Sequence, residues 1–147
     1  MIKDFTFVIF SIPYTYPSIN EWTTWHWSKR NRVKKDFITT MAFAINEQGI
    51  TPFHVPVKIY IDLIFPKKRR RDLDNYSPKF LLDSLVQCGI IPDDSSDWIP
   101  ESPDVQIYID KINRIDVKIE AIKLAMGVVS LGKGGVFLLD KVLTGYQ

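Results

Sequence analysis

The chain has 147 residues, of which 19 are Lys or Arg, 17 are Asp or Glu and 2 are His, so its formal net charge is +2. A hydrophobic fraction of 46% with 24% charged residues is typical of a globular domain and excludes a mainly disordered chain. The single cysteine, Cys88, excludes an internal disulfide framework and a multi-cysteine zinc site. One cysteine also fits a reducing, cytoplasmic setting.

The N-terminal segment predicts a strand and not a membrane span. The longest run without charges, 5–20, contains Pro13 and Pro17 and begins with alternating apolar residues. A spanning helix needs about 20 apolar residues. We therefore expect a strand over 4–12, a loop over 13–27, and a protein that is neither exported nor held in a membrane.

A helix and a strand follow in chain order. Val33, Phe37 and Met41 recur at helical spacing, which predicts a helix over 28–48. Strict alternation of apolar and polar residues then predicts a strand over 57–65.

The second half of the chain predicts one more helix and two more strands. Ser77 and Pro78 are typical of a helix start, and Gly89 is typical of a helix end. A loop over 92–103 leads to strands over 105–109 and 115–121, which the turn at 111–114 would join as a hairpin.

The order β-α-β-α-β-β predicts the α+β class. We expect a single two-layer domain in which two helices cover a mixed sheet. This domain would span residues 1–124. Glycines interrupt the rest of the chain, and we expect residues 125–147 to form a C-terminal extension packed on the domain or on a dimer interface.

The positive charge is concentrated in two short windows, each holding five of the 19 Lys and Arg residues. Local positive patches attract phosphate backbones even when the net charge is small. A solvated surface without a partner is the alternative. The windows are Lys29, Arg30, Arg32, Lys34 and Lys35, and Lys67, Lys68, Arg69, Arg70 and Arg71.

A pair of carboxylates directly follows the second window. Asp72 and Asp74 are two residues apart, so on an extended chain both point to one side while Leu73 points toward the core. Neighbouring carboxylates repel unless a cation lies between them, and Mg²⁺ takes one or two carboxylates together with waters and substrate phosphates. The pattern therefore predicts a Mg²⁺ site beside a phosphate-binding patch, with a salt-bridged loop as the alternative.

Two further groups could join this site. Lys79, in the first turn of the second helix, could stabilise the charge that develops in phosphodiester cleavage, or it could simply pair with Asp83. Asp93 and Asp94 follow the helix, and the returning chain could bring one of them to the strand end. Their alternative role is a solvated acidic loop.

These residues resemble the RusA-type Holliday junction resolvases. The stretch 69–75, Lys79, and the pair Asp93–Asp94 are similar to the family's basic run, D-x-D-N, helix lysine and final D-D. A Pro-x-x-Asn at 17–20 also fits. The resemblance covers residues 5–122 and is specific over 65–94. One departure is an extra residue before Lys79, in the segment that contains Pro78.

The resemblance implies a small, homodimeric, Mg²⁺-dependent endonuclease that cuts four-way DNA junctions symmetrically in recombination and repair. Such proteins are often encoded by phages or prophages. It implies that Asp72, Asp74 and Asp94 bind the metal, for which Mn²⁺ is a possible substitute, and that Lys79 is the active-site lysine. The basic residues expected to hold the DNA are Lys67, Lys68, Arg69, Arg70, Arg71, Lys29, Arg30 and Arg32.

Two other functions remain open at this stage. The same carboxylates could serve a nuclease that acts on other branched DNA or on single strands. Alternatively, the chain could be a non-catalytic DNA-binding module in which the acids only balance charge. Trp22, Trp25 and Trp27, beside the first window, could stack on exposed bases, although a place in the core or in a dimer interface is the commoner role.

Overall fold

The computed structural model describes residues 7–122, which fold around one four-stranded sheet. The strands are β1 (Phe7–Ile12), β2 (Val57–Phe65), β3 (Asp104–Ile109) and β4 (Arg114–Ala121). Their order is β1-β4-β2-β3, with β4 antiparallel to both neighbours and β3 parallel to β2. The predicted α+β class and mixed sheet are confirmed. Residues 4–6 of the predicted first strand and the predicted extension 125–147 lie outside the described residues.

Among residues 7–122, three α-helices accompany the sheet, one more than predicted. They are α1 (Ile19–Thr24), α2 (Trp27–Glu47) and α3 (Lys79–Gln87), and a 3₁₀ turn covers Leu73–Asn75. The predicted loop 13–27 was therefore wrong in part, because α1 lies inside it. Ser18 and Glu21 form a capping box, in which the Glu21 N–H donates to Ser18 Oγ (3.2 Å) and the Ser18 N–H donates to Glu21 Oε1 (3.1 Å). This motif satisfies two backbone donors that would otherwise lack partners.

Alternation along the strands places the core on one face of the sheet. In β2, Ile59, Ile61 and Leu63 are fully buried, whereas Tyr60 and Asp62 lie on the opposite, partly exposed face. The helices cover the buried face, since α2 and α3 bury one stripe each. The buried helix residues are Phe37, Met41, Ala44 and Ile45 of α2, and Leu81, Leu82, Ser84 and Leu85 of α3.

The predicted hairpin between the last two strands was wrong. β3 and β4 lie on opposite sides of β2, so Ile61 faces Val105 on one side and Val117 on the other. The connection at 110–113 spans up to roughly 13 Å at about 3.3 Å per residue. Two strand spacings measure roughly 9.6 Å. The same short connection therefore fits a hairpin and also fits a passage over the end of β2.

The strand ends next to the candidate site lie together at one end of the sheet. β2 and β3 end there, and β4 begins there, with Ile64 facing Arg114 and Phe65 facing Ile109. The second basic window leaves from this end and leads to the 3₁₀ turn. α1 is tied to that turn because the Asn20 N–H donates to Asn75 Oδ1 (3.0 Å).

Candidate active site

The loop after β2 presents most of the second basic window to solvent. Lys67 to Arg70 are exposed, whereas Arg71 is half-buried. The Arg71 guanidinium lies 3.9 Å from the centre of the Phe65 ring, and its Nη1 donates to the Lys67 carbonyl (3.0 Å). Arg71 therefore shapes the loop, and the four exposed cations are available to an anionic partner.

The carboxylate pair follows at once but does not alternate as predicted. Asp72 has extended backbone angles, and the chain then enters the 3₁₀ turn at Leu73. Both carboxylates are exposed, and Leu73 is 46% exposed. The expectation that Leu73 faces the core was wrong, because a 3₁₀ turn repeats every three residues and breaks the two-residue alternation of a strand. Arg70 Nε lies 3.7 Å from Asp72 Oδ1, and an ion pair this exposed contributes little to stability.

Lys79 joins helix α3 to the acidic loop that follows it. Its Nζ lies 2.9 Å from Asp83 Oδ1 and 3.4 Å from Asp94 Oδ2. The pairing with Asp83 that the sequence suggested is therefore present, and the role of Lys79 in cleavage stays a prediction. The hydrogen bond and the charge of Asp83, followed by those of Asp94, raise the pKa of Lys79 above its usual value. Lys79 is therefore an exposed ammonium that stays protonated at neutral pH and pairs with both carboxylates.

The start of α3 fixes where Lys79 lies. The Lys79 N–H donates to Ser77 Oγ (3.2 Å), and the Leu82 N–H donates to the Pro78 carbonyl (2.9 Å). Pro78, in the segment where the sequence departs from the family pattern, is the residue directly before α3.

The predicted metal-binding carboxylates have donor atoms of the right kind. Carboxylate oxygens suit Mg²⁺ and Mn²⁺. Within residues 7–122, however, no three Asp, Glu, His or Cys side chains are grouped so that they could hold a metal ion by themselves. Asp94 is near Lys79, while Asp72 and Asp74 lie on the 3₁₀ segment. The three-carboxylate site remains a prediction.

The first basic window divides into structural and solvent-facing residues. Arg30 Nε donates to the Trp22 carbonyl (3.0 Å) and its Nη2 to the Thr23 carbonyl (3.1 Å), so Arg30 holds the last turn of α1. Lys29 Nζ lies 4.2 Å from the centre of the Trp25 ring. Arg32 is exposed.

Lys34, which was not among the predicted DNA-binding residues, belongs to the candidate site. It lines a cleft of about 360 Å³ together with Lys79 and Asp83, and we call this cleft the lysine cleft. Its remaining lining residues are Pro17, Ile19, Trp22, Ser77 and Phe80. The sequence carried a usable signal, because Lys34 lies three residues before the buried Phe37 and therefore borders the buried stripe of α2.

A comparison with models of protein families identifies the family of this chain. A family model described as "Endodeoxyribonuclease RusA" matches residues 12–120, and the chain therefore belongs to the RusA endodeoxyribonuclease family. A search of curated proteins found no match to the chain. No helix among residues 7–122 is long and apolar enough to cross a membrane.

Proposed function

We propose that this protein is a divalent-metal-dependent endonuclease that resolves four-way DNA junctions by symmetric phosphodiester cleavage. The observation that carries the proposal is the contact of Lys79 with Asp94, which lies fifteen residues further along the chain. Lys79 begins helix α3, shortly after the basic loop and the Asp72–Asp74 segment. Membership of an endodeoxyribonuclease family supports the reaction class.

Each group has a distinct role in this proposal. The exposed cations of the second window bind backbone phosphates, which positions the DNA without reading its sequence. Lys79 lies beside the scissile phosphate and stabilises the negative charge that grows on it. Asp83 and Asp94 hold the Lys79 ammonium in place until the substrate arrives.

Asp72, Asp74 and Asp94 are the residues that would hold Mg²⁺ or Mn²⁺. Mg²⁺ often uses only one or two carboxylates and completes its shell with substrate phosphate and water. Exposed carboxylates on a loop are therefore a reasonable donor set once a phosphate is present. A bound divalent ion supplies an activated water and neutralises phosphate charge.

A homodimer would account for symmetric cutting. A two-fold axis places two identical sites on opposing strands of a junction that itself has near two-fold symmetry. A nuclease for other branched or single-stranded DNA would use the same groups, and a binding module would use only the cations.

The test is cleavage of labelled four-way junction, flap, single-stranded and linear duplex DNA, with Mg²⁺ and with EDTA. We expect paired cuts at symmetric positions of the junction, with none in EDTA. Preferred cutting of flaps or single strands would replace the junction assignment. Junction binding without cutting in Mg²⁺ or Mn²⁺ would contradict the nuclease assignment.

A further inference from the structure

The lysine cleft combines basic, acidic and aromatic side chains. Lys34 of α2 lines it together with Lys79 and Asp83 of α3 and Trp22 of α1. The cleft therefore connects the candidate site at Lys79 with the helices α1 and α2.

Lys34 lacks a counter-ion of its own. It is half-buried, yet among the described residues it forms no ion pair, whereas Lys79 contacts two carboxylates. A lysine side chain that has no ion pair within the protein is free to contact an anion. The phosphates of the proposed substrate are such anions, and Lys is one of the residues that most often contact DNA phosphates.

Trp22 packs against neighbouring side chains on α2 and α3. The Trp22 ring packs edge-on against Phe80, with 5.4 Å between ring centres, and the Arg30 guanidinium lies 5.7 Å from its centre. Arg30 also bonds the Trp22 and Thr23 carbonyls, which fixes the end of α1. An aromatic side chain can stack on any base, because every base has an aromatic face.

We propose that the lysine cleft binds the nucleotide next to the scissile phosphate, with Lys34 contacting its phosphate and Trp22 its sugar and base. This inference rests on the proposed DNA-cleaving function. It assigns substrate binding to Lys34, a residue of the first basic window outside the predicted DNA-binding set.

The experiment compares Lys34→Gln with Lys35→Gln and Lys34→Arg. Lys35 is the adjacent, exposed lysine of the same helix and lines no part of the cleft. Binding to a four-way junction in EDTA is measured over a range of salt concentrations. We expect Lys34→Gln to weaken binding and to reduce the slope of log affinity against log salt by about 0.9, the value for one lost phosphate contact. Lys35→Gln should keep the wild-type slope, and Lys34→Arg should restore it.

A second experiment identifies the phosphate that Lys34 contacts. Neutral methylphosphonate linkages are placed one at a time around the cut, and one of them should weaken binding of the wild type but not of Lys34→Gln. Equal losses in Lys34→Gln and Lys35→Gln, or the same methylphosphonate penalty in wild type and Lys34→Gln, would overturn the inference. If the wild type binds the junction but does not cut it, the proposed nuclease function fails, while the salt slope still decides the role of Lys34.

Discussion

At the scale of single residues, Lys79 has the most specific surroundings in the site. Two carboxylates, one from its own helix and one from the following loop, meet its ammonium at 2.9 and 3.4 Å. The first contact could be predicted from the sequence, because it follows from the four-residue spacing on a helix. The second contact was not predicted, although the family resemblance assigned Lys79 and Asp94 to one site.

Replacing the charge at this position should affect the reaction more than binding. We expect Lys79→Gln to lower the cleavage rate by roughly 10²–10³-fold, the usual effect of removing one group that stabilises charge in the transition state. Junction affinity, measured in EDTA, should change much less. A variant that cuts at the wild-type rate would exclude Lys79 from the reaction.

The carboxylates also favour the protonated form of Lys79. Because they raise its pKa, the ammonium stays protonated through neutral and moderately alkaline pH. The wild-type cleavage rate should therefore show no loss attributable to Lys79 below a pH of about 10.

The roles of Arg30 and Lys34 were not predicted, although the spacing of Lys34 from Phe37 carried a partial signal. Arg30 was expected to bind DNA, yet its guanidinium is engaged with the end of α1. Lys34 was left out of the predicted DNA-binding residues, yet it lines the lysine cleft. Charge alone does not distinguish these cases, because the difference depends on where α1 lies, and α1 itself was not predicted.

At the scale of elements, the long and regular segments were predictable and the short ones were not. Helical spacing identified α2, and strict alternation identified β2. α1 has only six residues and follows two prolines, so its capping box was the one local signal for it. The order of β3 and β4 depends on pairing across the sheet, which a four-residue connection leaves undetermined.

A like-charge pair across two strands offers a test of this register. Asp62 of β2 lies directly opposite Asp116 of β4 on the open face of the sheet. Burial, followed by the charge of Asp116, raises the pKa of Asp62. A raised pKa means that the ionised form disfavours folding at neutral pH, and that this cost disappears as the pH falls and Asp62 is protonated.

We therefore expect Asp62→Asn to raise the free energy of unfolding at pH 7 by roughly 0.2–1 kcal/mol, the range for cross-strand pairs. The gain should vanish as the pH falls below the usual Asp value of about 3.9. Urea unfolding at several pH values measures both effects. Asp110→Asn is the control with the opposite sign, because the Lys111 N–H and Arg114 lower the pKa of Asp110. Destabilisation by Asp62→Asn at pH 7 would contradict the register.

At the scale of the whole molecule, the hydrophobic core and the candidate site lie in different parts of the described chain. The helices cover one face of the sheet, while the basic loop and the acidic segment follow the end of β2 and lead to the start of α3. Family membership places endonuclease chemistry on this fold. Symmetric resolution of a junction needs two cuts, and the site described here would make one. A two-fold dimer would supply the second site.

The most direct measurement is cleavage and binding of a four-way junction by Asp74→Asn in Mg²⁺, beside the wild type and Asp97→Asn. Asp97 is an exposed aspartate of the loop between α3 and β3, so its variant matches the change in charge without touching the acidic segment. The account predicts that Asp74→Asn binds the junction but no longer cuts it, while Asp97→Asn does both. Full cutting by Asp74→Asn would contradict the assignment of the Asp72–Asp74 segment as the centre of the reaction.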